Sequence, residues 1–293
     1  MELTHISKAG GRLSSVLREE MGMSVSLMNK LKWEARLLVN GIPCHTDHTV
    51  VPGDTVTALL PDAVPEYPAE DGPLSVLYED DHFLAVDKPA GMLIHPSRCC
   101  FSGTLANFVL GYYRKKGLPC AFHPITRLDR DTFGVVLLAK NSHIHGLMMS
   151  MLQAGSVKKT YFALVYGKPP AEGVIDAPIA RQKPPSLLRY VDESGKRSMT
   201  TYRCLESWES HSLLELHPLT GRTHQLRVHC AHIGHPILGD PQYGNAESLE
   251  LSQRMALRTQ ALCAGVLEFC HPITGEPVIL KTQMPIYKEM DLV

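Results

Sequence analysis

Residues 123–140 read HPITRLDRDTFGVVLLAK and place a dense set of charges directly before an apolar run. The apolar run has the β-branched content of a buried strand. The charged side chains fall within five consecutive positions, at Arg127, Asp129, Arg130 and Asp131. A loop that leads into such a strand is where a rigid scaffold usually presents reactive groups. A polar turn with local ion pairs fits the same spacing, so this segment alone leaves both interpretations open.

A second segment, further along the chain, places an aromatic residue beside two lysines. It reads Lys158-Lys159-Thr160-Tyr161 and continues into the strand-like run FALVYG. Because lysines neutralise phosphates and aromatic rings stack on bases, one interpretation is a nucleic-acid-binding surface. The alternative is an ordinary strand tyrosine whose hydroxyl reaches the surface.

A third segment, LTGRTHQLRVHCAHIGHPILGD over 219–240, has the period of a helix in its centre. At about 100° per residue, Leu226, Cys230 and Ile233 form one apolar stripe, and Arg227 lies about 60° from Cys230 at its border. A guanidinium in that position is partly desolvated and will seek a carboxylate. An arginine whose stem packs on the core while its head reaches water is the alternative.

Strand-like and helix-like segments mix along the chain from about residue 74 to its end. The predicted strands are SVLYED, FLAVDKP, GVVLLAK, KTYFALVYG, TTYRCLES and SLLELHPL, and the predicted helices are TLANFVLGYYRKK, SHIHGLMMSMLQ and RTHQLRVHCAHIG. The consecutive strands at 199–206 and 211–217 indicate antiparallel pairing rather than repeated βαβ units. We therefore predict an α+β body built on a mixed, largely antiparallel sheet with flanking helices.

The segment 61–73, PDAVPEYPAEDGP, is rich in proline and acidic residues and has no apolar period. That composition is typical of a solvated linker. It separates a small N-terminal domain over 1–60 from the body over 74–293. In the small domain, a helix is predicted to begin at Arg12-Leu13, and a second helix, SLMNKLKWEARL, is followed by Asn-Gly and Pro-Gly-Asp turns of a small β ribbon.

The composition is that of an ordinary globular protein, with 44% apolar residues and a formal net charge of −1 over 293 residues. Any nucleic-acid-binding surface must therefore be local. No apolar run is long enough to span a bilayer, and the first twenty residues lack the apolar stretch of a signal peptide. The eight cysteines are scattered without C-x-x-C spacing. We expect a cytoplasmic protein, monomeric and with reduced thiols.

The three segments taken together resemble the RNA pseudouridine synthases of the RluA type. The resemblance rests on three motifs: R-L-D-R-D-T-x-G, the K-x-Y strand and T-G-R-T-H-Q-L-R-V-H. The segment LYEDDHFLAVDKPAGMLIHP also resembles the first strands of that family. The N-terminal part resembles the alpha-L RNA-binding module of a small-subunit ribosomal protein. The resemblance implies isomerisation of uridines to pseudouridine in structured RNA, with ribosomal RNA of the large subunit preferred and transfer RNA the alternative. It implies neither a cofactor nor a metal.

By position in these motifs, Asp129 matches the catalytic aspartate, Tyr161 the active-site tyrosine, and Arg227 the arginine that pairs with the aspartate. Leu226 matches an apolar residue of the uracil pocket. The carboxylate would either attack the sugar or start elimination to a glycal. The expected RNA contacts are Arg127, Lys158 and Arg222 in the body and Lys30, Lys32 and Arg36 in the N-terminal module, with Lys32 and Arg36 four apart on one face of the second helix.

Two positions depart from the family pattern: Thr126 stands where the family usually has His, and Phe133 where it has Ser. One rival interpretation is therefore an RNA-binding protein of this fold that has lost catalysis. A second rival is a metal-dependent hydrolase, suggested by a group of nearby side chains that lacks the H-E-x-x-H arrangement. Its members are His224, His229, Cys230, His232 and His235.

Overall fold

A computed structural model of the chain describes residues 2–61, 65–97, 100–183, 186 and 188–283. The N-terminal elements are β1 (Glu2–Ile6), β2 (Gly11–Arg12), α1 (Leu13–Ser15), a π-helical turn (Val16–Glu20), α2 (Val25–Trp33), β3 (Leu37–Val39), β4 (Ile42–Pro43), β5 (Thr49–Val50) and β6 (Thr55–Leu59). Four of the strands form an antiparallel sheet in the order β1-β6-β3-β4. The helices and this sheet enclose a hydrophobic core of their own. This separate core supports the proposed domain over 1–60.

The β3–β4 hairpin contains the Asn-Gly turn that the sequence predicts. Asn40 and Gly41 both have positive φ, at 50° and 79°, as a two-residue hairpin turn requires. Helix α2 begins after Ser24, whose hydroxyl accepts a hydrogen bond from the Leu27 amide at 3.2 Å. It ends at Trp33, earlier than predicted, because Ala35 takes a left-handed conformation with φ of 52°.

The elements of the body are β7 (Ser75–Glu79), β8 (Phe83–Lys88), α3 (Leu105–Lys115), β9 (His123–Pro124), β10 (Phe133–Ala139), α4 (Ser142–Gln153), β11 (Lys158–Tyr166), β12 (Glu172–Asp176), β13 (Ile179–Arg181), β14 (Arg189–Val191), β15 (Met199–Ser207), β16 (His211–Pro218), α5 (Gln225–His232), α6 (Ala246–Arg254), β17 (Leu262–Cys270) and β18 (Pro277–Lys281). No helix in the described part of the chain is both long and apolar enough to cross a membrane.

One large sheet organises the body, in the order β12-β15-β16-β11-β17-β10-β8-β7, with β18 paired to β17 and β9 to β10. Within the described ranges, β10 and β17 are parallel and every other neighbouring pair of this sheet is antiparallel. Helix α3 packs on one face of β8 and β10, and α4 packs on the opposite face. Both faces of these strands are covered, which is why their sequences are apolar throughout. The predicted α+β class with a mixed, largely antiparallel sheet is confirmed.

The proposed linker over 61–73 is not solvated along its whole length. The Glu70 amide donates to the carbonyl of Asn107 in α3 at 3.0 Å, and the Asn107 amide nitrogen donates to the carbonyl of Pro68 at 2.9 Å. The expectation of a free linker is therefore wrong for this part, because a buried asparagine uses the linker backbone as its partner. Residues 62–64 of the proposed linker and 284–293 of the proposed body lie outside the described residues.

The three sequence segments meet at the middle of the large sheet, around Ala264 of β17. Gly134, at the start of β10, pairs with Ala264 on one side, and Tyr161 of β11 pairs with it on the other. Gly134 has a φ of 110°, and a Cβ at this position would overlap the carbonyl oxygen of Ala264. Tyr161 also pairs with Leu216 of β16, the strand that leads to α5. The sheet therefore gathers the charged loop, the tyrosine and the arginine helix on neighbouring strands.

Candidate active site

Asp129 and Arg227 form an ion pair although 98 residues separate them in sequence. Arg227, on α5, is buried, and its Nη1 donates to Asp129 Oδ2 at 3.0 Å. The Asp129 side chain is 26% exposed, so the carboxylate faces both the arginine and open space. This arrangement leaves one side of the carboxylate accessible to a substrate. The contact expected from the sequence is present.

A second carboxylate, which the sequence analysis did not identify, holds Arg227 more closely than Asp129 does. Asp240 is fully buried and accepts from Arg227 Nε at 2.7 Å and from Nη2 at 2.8 Å. Gln242 Oε1 also accepts from Nη2, at 2.7 Å. Burial opposes the charged form of Arg227, but the two carboxylates outweigh burial and raise its pKa. Asp240 thus fixes the guanidinium through a bidentate pair, the geometry in which arginine binds carboxylates best.

His224 lies between the ion pair and a neighbouring tyrosine. Its φ of 58° is left-handed, which is unusual for a residue other than glycine and often occurs at functional sites. Its Nδ1 is 2.7 Å from the Tyr243 hydroxyl, and its Nε2 is 3.9 Å from Asp129 Oδ2. Burial lowers the pKa of His224 and the charge of Arg227 adds to that shift, although the charge of Asp129 opposes it. The Tyr243 ring lies 4.9 Å from the Arg227 guanidinium carbon and supports it.

Tyr161 forms the apolar side of the site. A β-bulge between Thr160 and Tyr161 shifts the register of β11 against β17, and bulges commonly re-aim a side chain beside an active site. Tyr161 packs against the cluster that contains Leu226, which is 7% exposed. Burial raises the pKa of the Tyr161 hydroxyl, and the charge of Asp129 raises it further. The phenol is therefore protonated at neutral pH.

Lys88 holds the loop that carries Asp129. The side chain is fully buried, and its Nζ donates to the carbonyls of Pro89 and Met92 at 2.9 Å and of Arg130 at 2.8 Å. Burial lowers the pKa of the Lys88 ammonium to about 8, although nearby carboxylates counteract part of that shift. The lysine of D-K-P-A-G thus braces the backbone one residue after Asp129.

Replacing Lys88 with methionine is expected to weaken both the fold and catalysis. The buried carbonyls lose their donor, which should lower the free energy of unfolding by about 2–3 kcal/mol. The loop also loses its brace, and small displacements of reacting groups can cost up to about a hundredfold in rate. Chemical unfolding and single-turnover kinetics would measure both effects, with exposed Lys168→Met as the matched control. An unchanged rate in Lys88→Met would show that the loop keeps its position without the lysine.

The charged segment contains a local ion pair as well as the longer-range one. Arg130 Nε donates to Asp131 Oδ1 at 3.0 Å. The polar-turn interpretation therefore applies to residues 130 and 131, whereas Asp129 points to α5.

The two departures from the family pattern lie in the same segment. Thr126 accepts a hydrogen bond from the Leu137 amide at 3.0 Å, and Phe133 packs in a hydrophobic cluster. Both departures have structural partners on the strand side of the loop.

The residues expected to contact RNA differ in their surroundings. Arg127, Lys158 and Arg222 are exposed, and Arg222 Nε donates to the carbonyl of Arg197 at 3.1 Å. In the N-terminal part, Lys30 is exposed but Lys32 is half-buried. Arg36 lies beyond the end of α2 and pairs with Glu34 at 2.9 Å. The prediction that Lys32 and Arg36 share one helical face is wrong, because the helix ends at Trp33.

Two histidines of the rival metal hypothesis, His229 and His235, have separate structural partners. His229 Nδ1 lies 2.9 Å from Thr200 Oγ1, and its Nε2 lies 3.0 Å from the carbonyl of Ala177. His235 Nδ1 lies 2.9 Å from the carbonyl of Tyr166. Across the described ranges, no three His, Cys, Asp or Glu side chains are grouped so that they could hold a metal ion. These contacts favour a structural role for the histidines.

Comparison with known proteins identifies one family whose model covers Asp129, Tyr161 and Arg227. The family model described as RNA pseudouridylate synthase matches residues 82–232. The protein named ribosomal large subunit pseudouridine synthase D of Xanthomonas campestris is 36% identical over 290 residues, covering 95% of this chain and 87% of that protein. The protein of that name in Zymomonas mobilis is 38% identical over 224 residues, covering 74% and 71%. The solved structure titled human RNA pseudouridylate synthase domain containing 1 superposes with a TM-score of 0.60 at 28% identity, covering 74% of this chain and 86% of the human one.

Proposed function

The chain belongs to the RNA pseudouridylate synthase family, and on that premise we propose that it isomerises specific uridines to pseudouridine in ribosomal RNA of the large subunit. The observation that carries the proposal is the Asp129–Arg227 pair, partly open to solvent beside the Tyr161 ring. These residues stand in the motif positions that the family assigns to its catalytic aspartate, arginine and tyrosine.

The reaction breaks the bond between N1 and C1′ of uridine, turns the base, and joins C5 to C1′. The proton on C5 leaves and N1 gains one, so nothing is oxidised. In this proposal Asp129 either attacks C1′ or removes a sugar proton to give a glycal, and both routes need the ionised carboxylate. Arg227 keeps that carboxylate oriented, and Leu226 and Tyr161 provide an apolar wall for the freed uracil. The protonated Tyr161 phenol can act as a hydrogen-bond donor during proton transfer.

The choice of RNA rests on the names of the relatives and on exposed cations of the body. Two relatives that align with most of this chain are named as synthases of the ribosomal large subunit. Exposed cations in the body, Arg127, Lys158 and Arg222, are available to neutralise RNA phosphates, although the net charge of the protein is −1. Transfer RNA is the alternative substrate. We further propose that the enzyme is cytoplasmic and monomeric.

The proposal is tested with transcripts whose uridines carry tritium at C5. Because pseudouridine formation releases the C5 hydrogen, incubation with large-subunit ribosomal RNA should release tritium, and transfer RNA should release little. Sequencing for pseudouridine would then locate the modified positions. Binding of ribosomal RNA without tritium release would support the rival interpretation of an inactive RNA-binding protein. Release from transfer RNA alone would reassign the substrate.

A further inference from the structure

Helix α2 has a polar exposed face that ends in a tryptophan. The helix buries Met28 and Leu31 in the N-terminal core. On its other side, four exposed residues are three or four positions apart and therefore share a face: Ser26, Asn29, Lys30 and Trp33. Val25, which is also exposed, lies at the edge of this face, four positions before Asn29. The Trp33 side chain is 81% exposed, the highest exposure among the large hydrophobic residues of the described chain.

The surroundings of Trp33 are positively charged. No acidic residue occurs from Met21 to Trp33, and the Lys32 ammonium lies 5.4 Å from the centre of the Trp33 ring. The carboxylate of Glu34, the next residue, is paired with Arg36. An exposed aromatic ring flanked by cations is the combination that binds unpaired bases and their phosphates.

We propose that Trp33 stacks on an unpaired base of the substrate RNA, while Lys30 and Lys32 neutralise the phosphates on either side. This inference rests on the proposed function, because it names the part of the substrate RNA that the small N-terminal domain would bind. RNA is favoured over a protein partner because, apart from Val25 at its edge, the rest of this face consists of serine, asparagine and lysine. A protein interface would need a wider apolar patch. Bases in loops and bulges are free to stack, so the site would bind a single-stranded position of the RNA.

The chain contains two tryptophans, which permits a direct optical test. Trp208 lies in the turn between β15 and β16, stacked on His211 at 4.6 Å. In a Trp208→Phe protein, Trp33 is the remaining fluorophore, and titration with ribosomal RNA fragments should quench its emission. In the otherwise unchanged protein, Trp33→Ala should weaken RNA binding roughly tenfold, and Trp33→Phe should weaken it less. Ile42→Ala, which removes another exposed apolar side chain of the same unit, is the matched control and should bind normally.

The possible outcomes separate this inference from the proposed function. Unchanged emission on RNA binding, together with wild-type affinity in Trp33→Ala, would overturn the stacking site even if the enzyme forms pseudouridine. Emission that changes with protein concentration but not with RNA would assign the face to a second copy of the chain, which also overturns the inference. Failure of the wild-type protein to release tritium from any RNA would instead refute the proposed function.

Discussion

Replacing Asp129 with asparagine is expected to abolish pseudouridine formation while the protein keeps its fold and its affinity for RNA. The amide preserves the shape of the carboxylate but can serve neither as a nucleophile nor as a base, so a loss of at least about a thousandfold is expected. The fold should survive because Arg227 retains its contacts to Asp240 and Gln242. Tritium release in single turnover, RNA binding and thermal unfolding would measure the three properties separately.

Asp131 provides the matched control for this variant. It is two residues away and pairs with Arg130 rather than with the arginine of α5. Asp131→Asn removes the same charge from the same loop and should keep activity within a few-fold of the wild type. Full activity in Asp129→Asn would refute the assigned chemistry, and equal losses in the two variants would indicate that the charge of the loop, not the position of Asp129, is what matters.

The largest effect on stability is expected from Arg227→Met. This change leaves the buried Asp240 carboxylate without its cationic partner, and removal of one member of a buried ion pair typically costs about 3–5 kcal/mol. Asp240 is completely buried, whereas the Asp129 side chain is 26% exposed and retains contact with water. The cost should therefore arise mainly at Asp240, not at Asp129.

A double-mutant cycle distinguishes the two carboxylates. Adding Asp240→Asn to Arg227→Met should restore part of the lost stability, because the neutral amide no longer needs a cation. Adding Asp129→Asn should restore much less, and neither double mutant should recover activity. The free energies of unfolding, measured with urea, supply the coupling energies. Equal recovery in both double mutants, or additive effects throughout, would contradict the assignment of Asp240 as the main partner of Arg227.

The sequence was informative where a motif lies on a single element. The apolar run of β10, the stripe of α5 and the position of Arg227 at its border all follow from local periodicity. The contact between Asp129 and Arg227 came from the resemblance to a family, since no local pattern connects residues 98 apart. Asp240 was part of the quoted stretch H-P-I-L-G-D, but a buried carboxylate after a helix has no periodic signature. The role of Asp240 follows only from its two hydrogen bonds with Arg227 in the folded structure.

Other features depend on tertiary contacts that no sequence window contains. Lys88 would be expected at the surface, yet carbonyls from two separate loops make its burial favourable. Strand β17 was not predicted, although it lies at the centre of the sheet. Helix α2 ends before Ala35, although alanine has the highest helix propensity. In each case packing determined the result.

The position of β17 has a consequence for how the protein acquires its activity. The strands β7–β10 come from residues before 140 and β11–β16 from residues 158–218, and in the large sheet β17 lies between these two groups. Asp129 belongs to the first group, whereas Tyr161 lies in the second group and Arg227 follows it. Each group can begin to fold as it leaves the ribosome, but the two are joined only after residues 262–270 have been synthesised. Pairing over such sequence separations is slow, so we expect the contact between Asp129 and Arg227 to form late in folding, after residues 262–270 have joined the two groups.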